Sequence, residues 1–148
     1  MANWKFLFLG YVAAMNFAWA AGEAGTIKTV KGSVAIERVG QKQAAEVGGQ
    51  LLVADRVITG ADSAVGITLH DNTVLSAGPN STLELNKFAF NSTTHAGELD
   101  ASVKRGTLSV ISGKIAKANP DKVRYSTPTM TLGVRGTEFV IEAGENAR

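Results

Sequence analysis

The sequence predicts an all-β domain, and three observations carry that prediction. Apolar residues recur with a period of two rather than that of a helix, the runs are short, and turn chemistry separates them. From Arg56 to Leu85 the turn signals return about every 8–10 residues, the cadence of a chain that doubles back repeatedly. The expected form is a sheet of many short strands.

The first segment stands outside this pattern. It has one positive side chain, Lys5, an apolar run from Phe6 to Ala14, and small residues at Ala18 and Ala20. That is the three-part layout of a secretory signal, with cleavage predicted after Ala20. Asn16 interrupts a run already shorter than the ~20 apolar residues a spanning helix needs. The organisation read from the sequence is therefore a signal at 1–20 and one β domain at 21–148. The 148 residues carry a formal net charge of +2 and no cysteine. Export without cysteines leaves no disulfides to staple the fold, and it excludes thiol catalysis and iron–sulfur clusters. The mature part is close to neutral, so no overall field argues for nucleic acid or for a membrane surface.

Taken in order, Val30, Val34 and Ile36 share one parity, then Val65, Ile67 and Leu69. Leu83 and Leu85 follow, then Leu108 and Val110, then Val123 and Tyr125. Each set reads as a strand burying one face. T-G-A-D-S (59–63), H-D-N-T (70–73) and A-G-P-N-S (77–81) supply turns, because Asp, Asn and Gly tolerate turn dihedrals and Pro79 presets φ. Leu99 and Val103, four apart in E-L-D-A-S-V-K (98–104), predict one or two turns of helix, and N-K-F-A-F-N-S-T-T-H-A-G (86–97) reads as a long loop. The segment 104–124 holds six basic residues against Asp121; it reads as a pair of edge strands whose lysines discourage aggregation, or as a patch for an anionic partner. K-G-S-V-A-I (31–36), R-G-T-L-S-V (105–110) and R-G-T-E-F-V (135–140) open alike, with a basic residue, glycine and a hydroxyl residue. They suggest repeated corners in which glycine takes a positive φ.

The last of these raises a parity problem. Met130, Leu132 and Val134 occupy even positions, whereas Phe139 and Ile141 occupy odd ones. An alternating strand cannot keep both sets on one face without an extra residue, so a bulge or corner is predicted at Arg135–Gly136, turning Arg135 away from the core. Pro128 precedes the run, where a missing N–H does least harm.

The stretch T-P-T-M-T-L-G-V-R-G-T-E-F-V, with Thr127, Pro128, Val134, Arg135, Gly136, Thr137 and Phe139, resembles the closing signature of the FecR domain. The upstream order agrees: G-S-V (32–34), L-L-V-A-D-R-V-I-T-G-A-D-S-A (51–64) with Asp55, Thr59 and Gly60, then I-T-L-H-D-N-T-V-L, G-P-N-S-T-L-E-L and R-G-T-L. The resemblance spans Thr29 to Ile141. It departs at Ala54, where the family usually has glycine, which puts the tightness of that turn in question. The resemblance implies a periplasmic all-β domain of a Gram-negative bacterium, a solenoid-like or strongly twisted β-sheet or sandwich of short strands, that works by contact, not chemistry, in signalling. Sigma-factor regulation is not expected of this chain, which shows neither a cytoplasmic segment nor an internal membrane helix.

No catalytic constellation is expected. His70 and His95 lack partners at ligand spacing and read as solvated loop residues, and Asp55 and Asp62 read as turn residues rather than paired carboxylates. No nucleophile elbow or phosphate-cradling glycine motif is present. The sequence thus predicts no enzyme, metal or cofactor, and a protein or cell-envelope component as partner. Binding of glycan through aromatics near Phe88 and Phe90, and edge-to-edge self-association as an envelope scaffold, are the alternatives.

Overall fold

The computed structural model describes residues 22–134 and 136–144. The expected secretory segment and Arg135 lie outside them. The strands are β1 (Glu23–Lys31), β2 (Val34–Arg38), β3 (Gln41–Ala44), β4 (Gln50–Leu52), β5 (Arg56–Thr59), β6 (Ala64–Leu69), β7 (Val74–Ala77), β8 (Thr82–Phe90) and β9 (Gly97–Ile111). A short helix α1 (Lys114–Ala118) and a 3-10 turn at Pro120–Lys122 follow, then β10 (Val123–Ser126), β11 (Thr131–Gly133) and β12 (Glu138–Ala143).

The twelve strands form one curled, half-barrel-like sheet with two wings. Wing I runs β4-β1-β6-β7-β9-β12 and wing II runs β3-β2-β5-β8-β9-β10-β11. The 15-residue β9 belongs to both wings. Its first part pairs with β8 and, in parallel, with β10; its second part pairs with β7 and β12. One apolar core lies between the wings, with Ile27, Val65, Ile67, Leu69, Leu75, Leu108, Val110 and Ile141 from wing I meeting Val34, Ile36, Val57, Leu83, Leu85, Leu99 and Tyr125 from wing II. The parity sets read from the sequence therefore point inward, with Val30 only half-buried against the core.

The chain passes between wings at corners built from two pieces. At Gly32 and Gly106 the backbone takes φ of +71° and +86°, and the next residue donates its N–H to a buried serine: Ser33 to Ser63 Oγ at 2.9 Å, Thr107 to Ser81 Oγ at 3.0 Å. Each serine hydroxyl donates to the carbonyl two residues back, Ala61 and Pro79, across a residue of positive φ, Asp62 or Asn80. The same lock is thus used twice, and it needs a glycine because the serine occupies the space a Cβ would take. Thr59 ties the two together. Its hydroxyl donates to the Gly78 carbonyl at 2.5 Å and accepts the Ser81 N–H at 2.8 Å, while the Gly60 N–H donates to the Ser33 carbonyl.

The third corner follows the same rule in part. Gly136 takes φ +104°, the Ser112 hydroxyl donates to its carbonyl, and the Ser112 N–H donates to the Thr137 carbonyl. The segment 130–141 is not one bulged strand, however. β11 joins wing II on β10, and β12 joins wing I on β9. The change of buried parity is real, with Val134 buried before the break and Ile141 and Ala143 after it, while Met130 is exposed.

Three other expectations are corrected. Residues 98–104 are strand, not helix, because Leu99, Ala101 and Val103 alternate inward and pair across β8. The expected loop 86–97 is strand as far as Phe90, and its aromatics Phe88 and Phe90 are half-buried against the core. The basic segment is not a pair of edge strands: β9 is flanked on both sides, and α1 lies between β9 and β10. The buried Asp71 fixes α1. Its carboxylate accepts from the Thr73 N–H and hydroxyl and from the Ile115 N–H, and its carbonyl accepts from Lys114.

Candidate interaction surface

The residues singled out in the sequence hold the framework and do not converge on a cavity. Asp55 is 1% exposed and sits in the turn between β4 and β5. Its carboxylate accepts the Leu52 N–H at 2.8 Å and both nitrogens of the Arg38 fork, Nε at 2.9 Å and Nη2 at 2.8 Å. Arg38 also donates to the Gln50 carbonyl, so it staples β2 of wing II to β4 of wing I. These hydrogen bonds hold its proton more tightly than usual. The turn survives the loss of glycine because Ala54 itself adopts φ +74°. Thr59 and Gly60 lie in the corner row described above. Thr127 hydrogen-bonds the N–H of Met130, with Pro128 between them in the turn before β11. Phe139 packs edge-on against Tyr125 at 5.3 Å between ring centroids. Arg135 lies outside the described residues.

The histidines stay apart and exposed, His70 beside Phe88 and His95 stacked on Phe90. Among the described residues no group of three or more His, Asp or Glu could hold a metal. Concavities among the described residues include an open trough of about 670 Å³ between β3 and β4, beside the Arg38 staple, and a basin of about 200 Å³ where Lys87, Asp100 and Arg124 mix signs. Neither gathers the signature residues.

The outer faces of the wings differ sharply. On wing II the register lines up Lys42, Glu37, Arg56 and Glu84 across four strands, alternating in charge. Arg56 donates to Glu84 and feels Glu37, which raises its affinity for its proton, and Lys104 reaches Glu84 at 3.6 Å. Glu84 is thus held from two sides, by Arg56 and by Lys104. On wing I, β6, β7 and the second part of β9 present Ala64, Gly66, Thr68, Val74, Ser76, Thr107, Ser109 and Ile111, with no charge among them. The row ends at β12, where Glu138, Val140 and Glu142 face outward. Val140 is 62% exposed and Ile111 46%. They are diagonal neighbours, since Val140 pairs with Ser109 and Ile111 with Glu138. The other large exposed apolar residues, Val39, Val47 and Met130, each sit singly in turns.

Sequence reasoning missed this surface and also Arg38. A readable signal existed for the surface: Phe139, Val140 and Ile141 are three consecutive apolar residues, and in an alternating strand the middle one must face out. Arg38 lies 17 residues from Asp55 with no local pattern to link them.

The fold and this face define an all-β module whose wing I surface is uncharged over β6, β7 and the second part of β9, beside the open edge of β12. The chain belongs to the FecR family: the family described as FecR protein matches residues 55–148, more than half of the sequence. The G-S-V corner at 32–34 lies upstream of that match but is locked into the same corner row. No curated protein matches the chain. It is similar to a solved structure titled "Cell surface anchoring domain", 28% identical, with a TM-score of 0.41, over 43% of this chain and 84% of that one.

Proposed function

We propose that this chain is an exported, non-enzymatic FecR-type module that contacts a protein partner in the cell envelope of a Gram-negative bacterium, in a signalling role, through the outer face of wing I. The carrying observation is the asymmetry between the wings. On wing II Arg56 and Lys104 pair with Glu84, whereas the middle of wing I, bounded by Lys31 on β1 and by Glu138 and Glu142 on β12, is uncharged and leaves Ile111 and Val140 exposed together. Contact over β6, β7 and the second part of β9 strips no ion of water, and the two carboxylates beside Val140, Glu138 and Glu142, lie at the rim of the face. The secretory layout of residues 1–20 and membership of the FecR family support an envelope location. The glycan-binding reading is weakened because Phe88 and Phe90, its aromatic platform, pack against the core.

The test is affinity capture from envelope extract, with and without muramidase digestion. The chain, Val140→Lys and Glu37→Lys are compared. Capture of a defined protein that survives digestion, is lost with Val140→Lys and is kept with Glu37→Lys is the expected result. Retention on intact peptidoglycan alone would replace this reading with glycan binding.

A further inference from the structure

The open edge of β12 carries more information than its exposure. The Ser112 N–H donates to the Thr137 carbonyl at 2.6 Å, which makes that pair a hydrogen-bonded one in the antiparallel ladder. The register then continues without a shift through Ala143 and Gly106. Alternation along the ladder turns the backbone groups of Phe139, Ile141 and Ala143 toward β9 and those of Glu138, Val140 and Glu142 toward the free edge. No described residue pairs with that edge. The side chains of the same three residues stand on the outer face, so the edge presents the pattern acid, apolar, acid at every second position.

Resting on the reading of wing I as the contact face, we infer that β12 accepts an extended strand from the partner as an added antiparallel strand. The recognised segment carries basic residues two positions either side of an apolar one. In that register the apolar residue lies opposite Val140 and extends the patch formed with Ile111. The two basic residues lie opposite Glu138 and Glu142, where opposite charges across a ladder stabilise and like charges destabilise. Backbone pairing would supply affinity and the outer-face side chains specificity.

The charge pattern also selects against a second copy of this chain. Two β12 strands paired about Val140 would set Glu138 against Glu142 twice. None of the other edge strands, Gln41–Ala44, Gln50–Leu52 or Thr131–Gly133, offers an apolar residue flanked by two bases.

The experiment uses the purified chain with the peptides TKTVTKT and TETVTET, in about 50 mM salt so that surface charges are little screened. Amide exchange and titration are followed together. The basic peptide is expected to bind about tenfold more tightly than the acidic one. The preference is expected to invert in Glu138→Lys/Glu142→Lys. The amides of Val140 and Glu142, unprotected in the free chain, are expected to gain protection in the complex. Equal binding of both peptides, binding of neither, or protection confined to another strand overturns the inference. Concentration-dependent self-association through β12 in sedimentation also overturns it, since a second copy would then be the occupant. If the peptide preference fails while Val140→Lys still abolishes envelope capture, the edge assignment falls and the contact face stands.

Discussion

Replacing Gly106 and Gly136 by alanine separates two costs that usually arrive together. Both glycines have positive φ, +86° and +104°. An added Cβ at Gly136 meets nothing within 4 Å, so the substitution carries only the dihedral penalty, about 1–2 kcal/mol. At Gly106 the same Cβ would lie 2.6 Å from Ser81 Cα and 2.7 Å from Ser81 Cβ. The neighbour is backbone, which cannot swing aside, and moving it breaks the Ser81 bonds to the Thr107 N–H and the Pro79 carbonyl. Adding overpacking of about 1–3 kcal/mol to those bonds brings the expected cost to about 4 kcal/mol. For a domain of this size, Gly136→Ala should lower Tm by about 5 °C and Gly106→Ala by about 13 °C. Calorimetry on the two variants decides. Equal losses would mean that the corner relaxes freely and that the serine lock is not what holds the wings together. The bulkier Gly136→Val should exceed about 1 kcal/mol, because a β-branched residue resists positive φ.

Three further outcomes follow from the seam and the core. Asp55→Asn should cost about 2–3 kcal/mol in urea unfolding, below the range for a fully buried pair because Arg38 is 32% exposed and water can partly rescue it. A loss under ~0.5 kcal/mol would deny the staple any role. Ala54→Gly should stabilise by up to about 1 kcal/mol, since it relieves the strain of φ +74° at some cost in unfolded-chain entropy. A lowered urea midpoint would contradict this. Burial, with the Asp71 charge adding to it, pushes the Tyr125 hydroxyl well above its usual pKa. The proton is therefore held more tightly in the folded state. That stability is complete below about pH 10 and is lost above it at about 1.4 kcal/mol per pH unit, until the folded value is reached. Tyr125→Phe should flatten that alkaline limb of the stability curve, and an unchanged limb would place the loss elsewhere.

Much of the fold was legible because alternation is a local property. Leu83, Leu85, Leu108 and Val110 announce their buried face within a few residues, and the D-S, D-N-T and P-N-S turns use residues whose dihedrals are cheap. The similar openings at Gly32, Gly106 and Gly136 were readable for the same reason, and all three adopt positive φ. What could not be read locally is pairing. Leu99 and Val103 fit a helical spacing as well as a strand, and only the neighbouring β8 decides between them. β9 looked like several short pieces because its crossing at Gly106 breaks the pattern in mid-strand. α1 was overlooked because five residues bury only Ile115 and Ala116, too little for a helical period to emerge. The candidate surface was half legible. The run Phe139–Val140–Ile141 betrays one outward apolar residue, but its alignment with Ile111 depends on the β9–β12 register.

A photoreactive amino acid placed singly at position 140 or 37 tests most directly whether wing I is the side that meets the partner. Irradiation of cells should yield a crosslinked species of one discrete mass from position 140 and none from position 37, which lies on the outer face of wing II between Lys42 and Arg56. Crosslinks from position 37 with none from position 140 would contradict it.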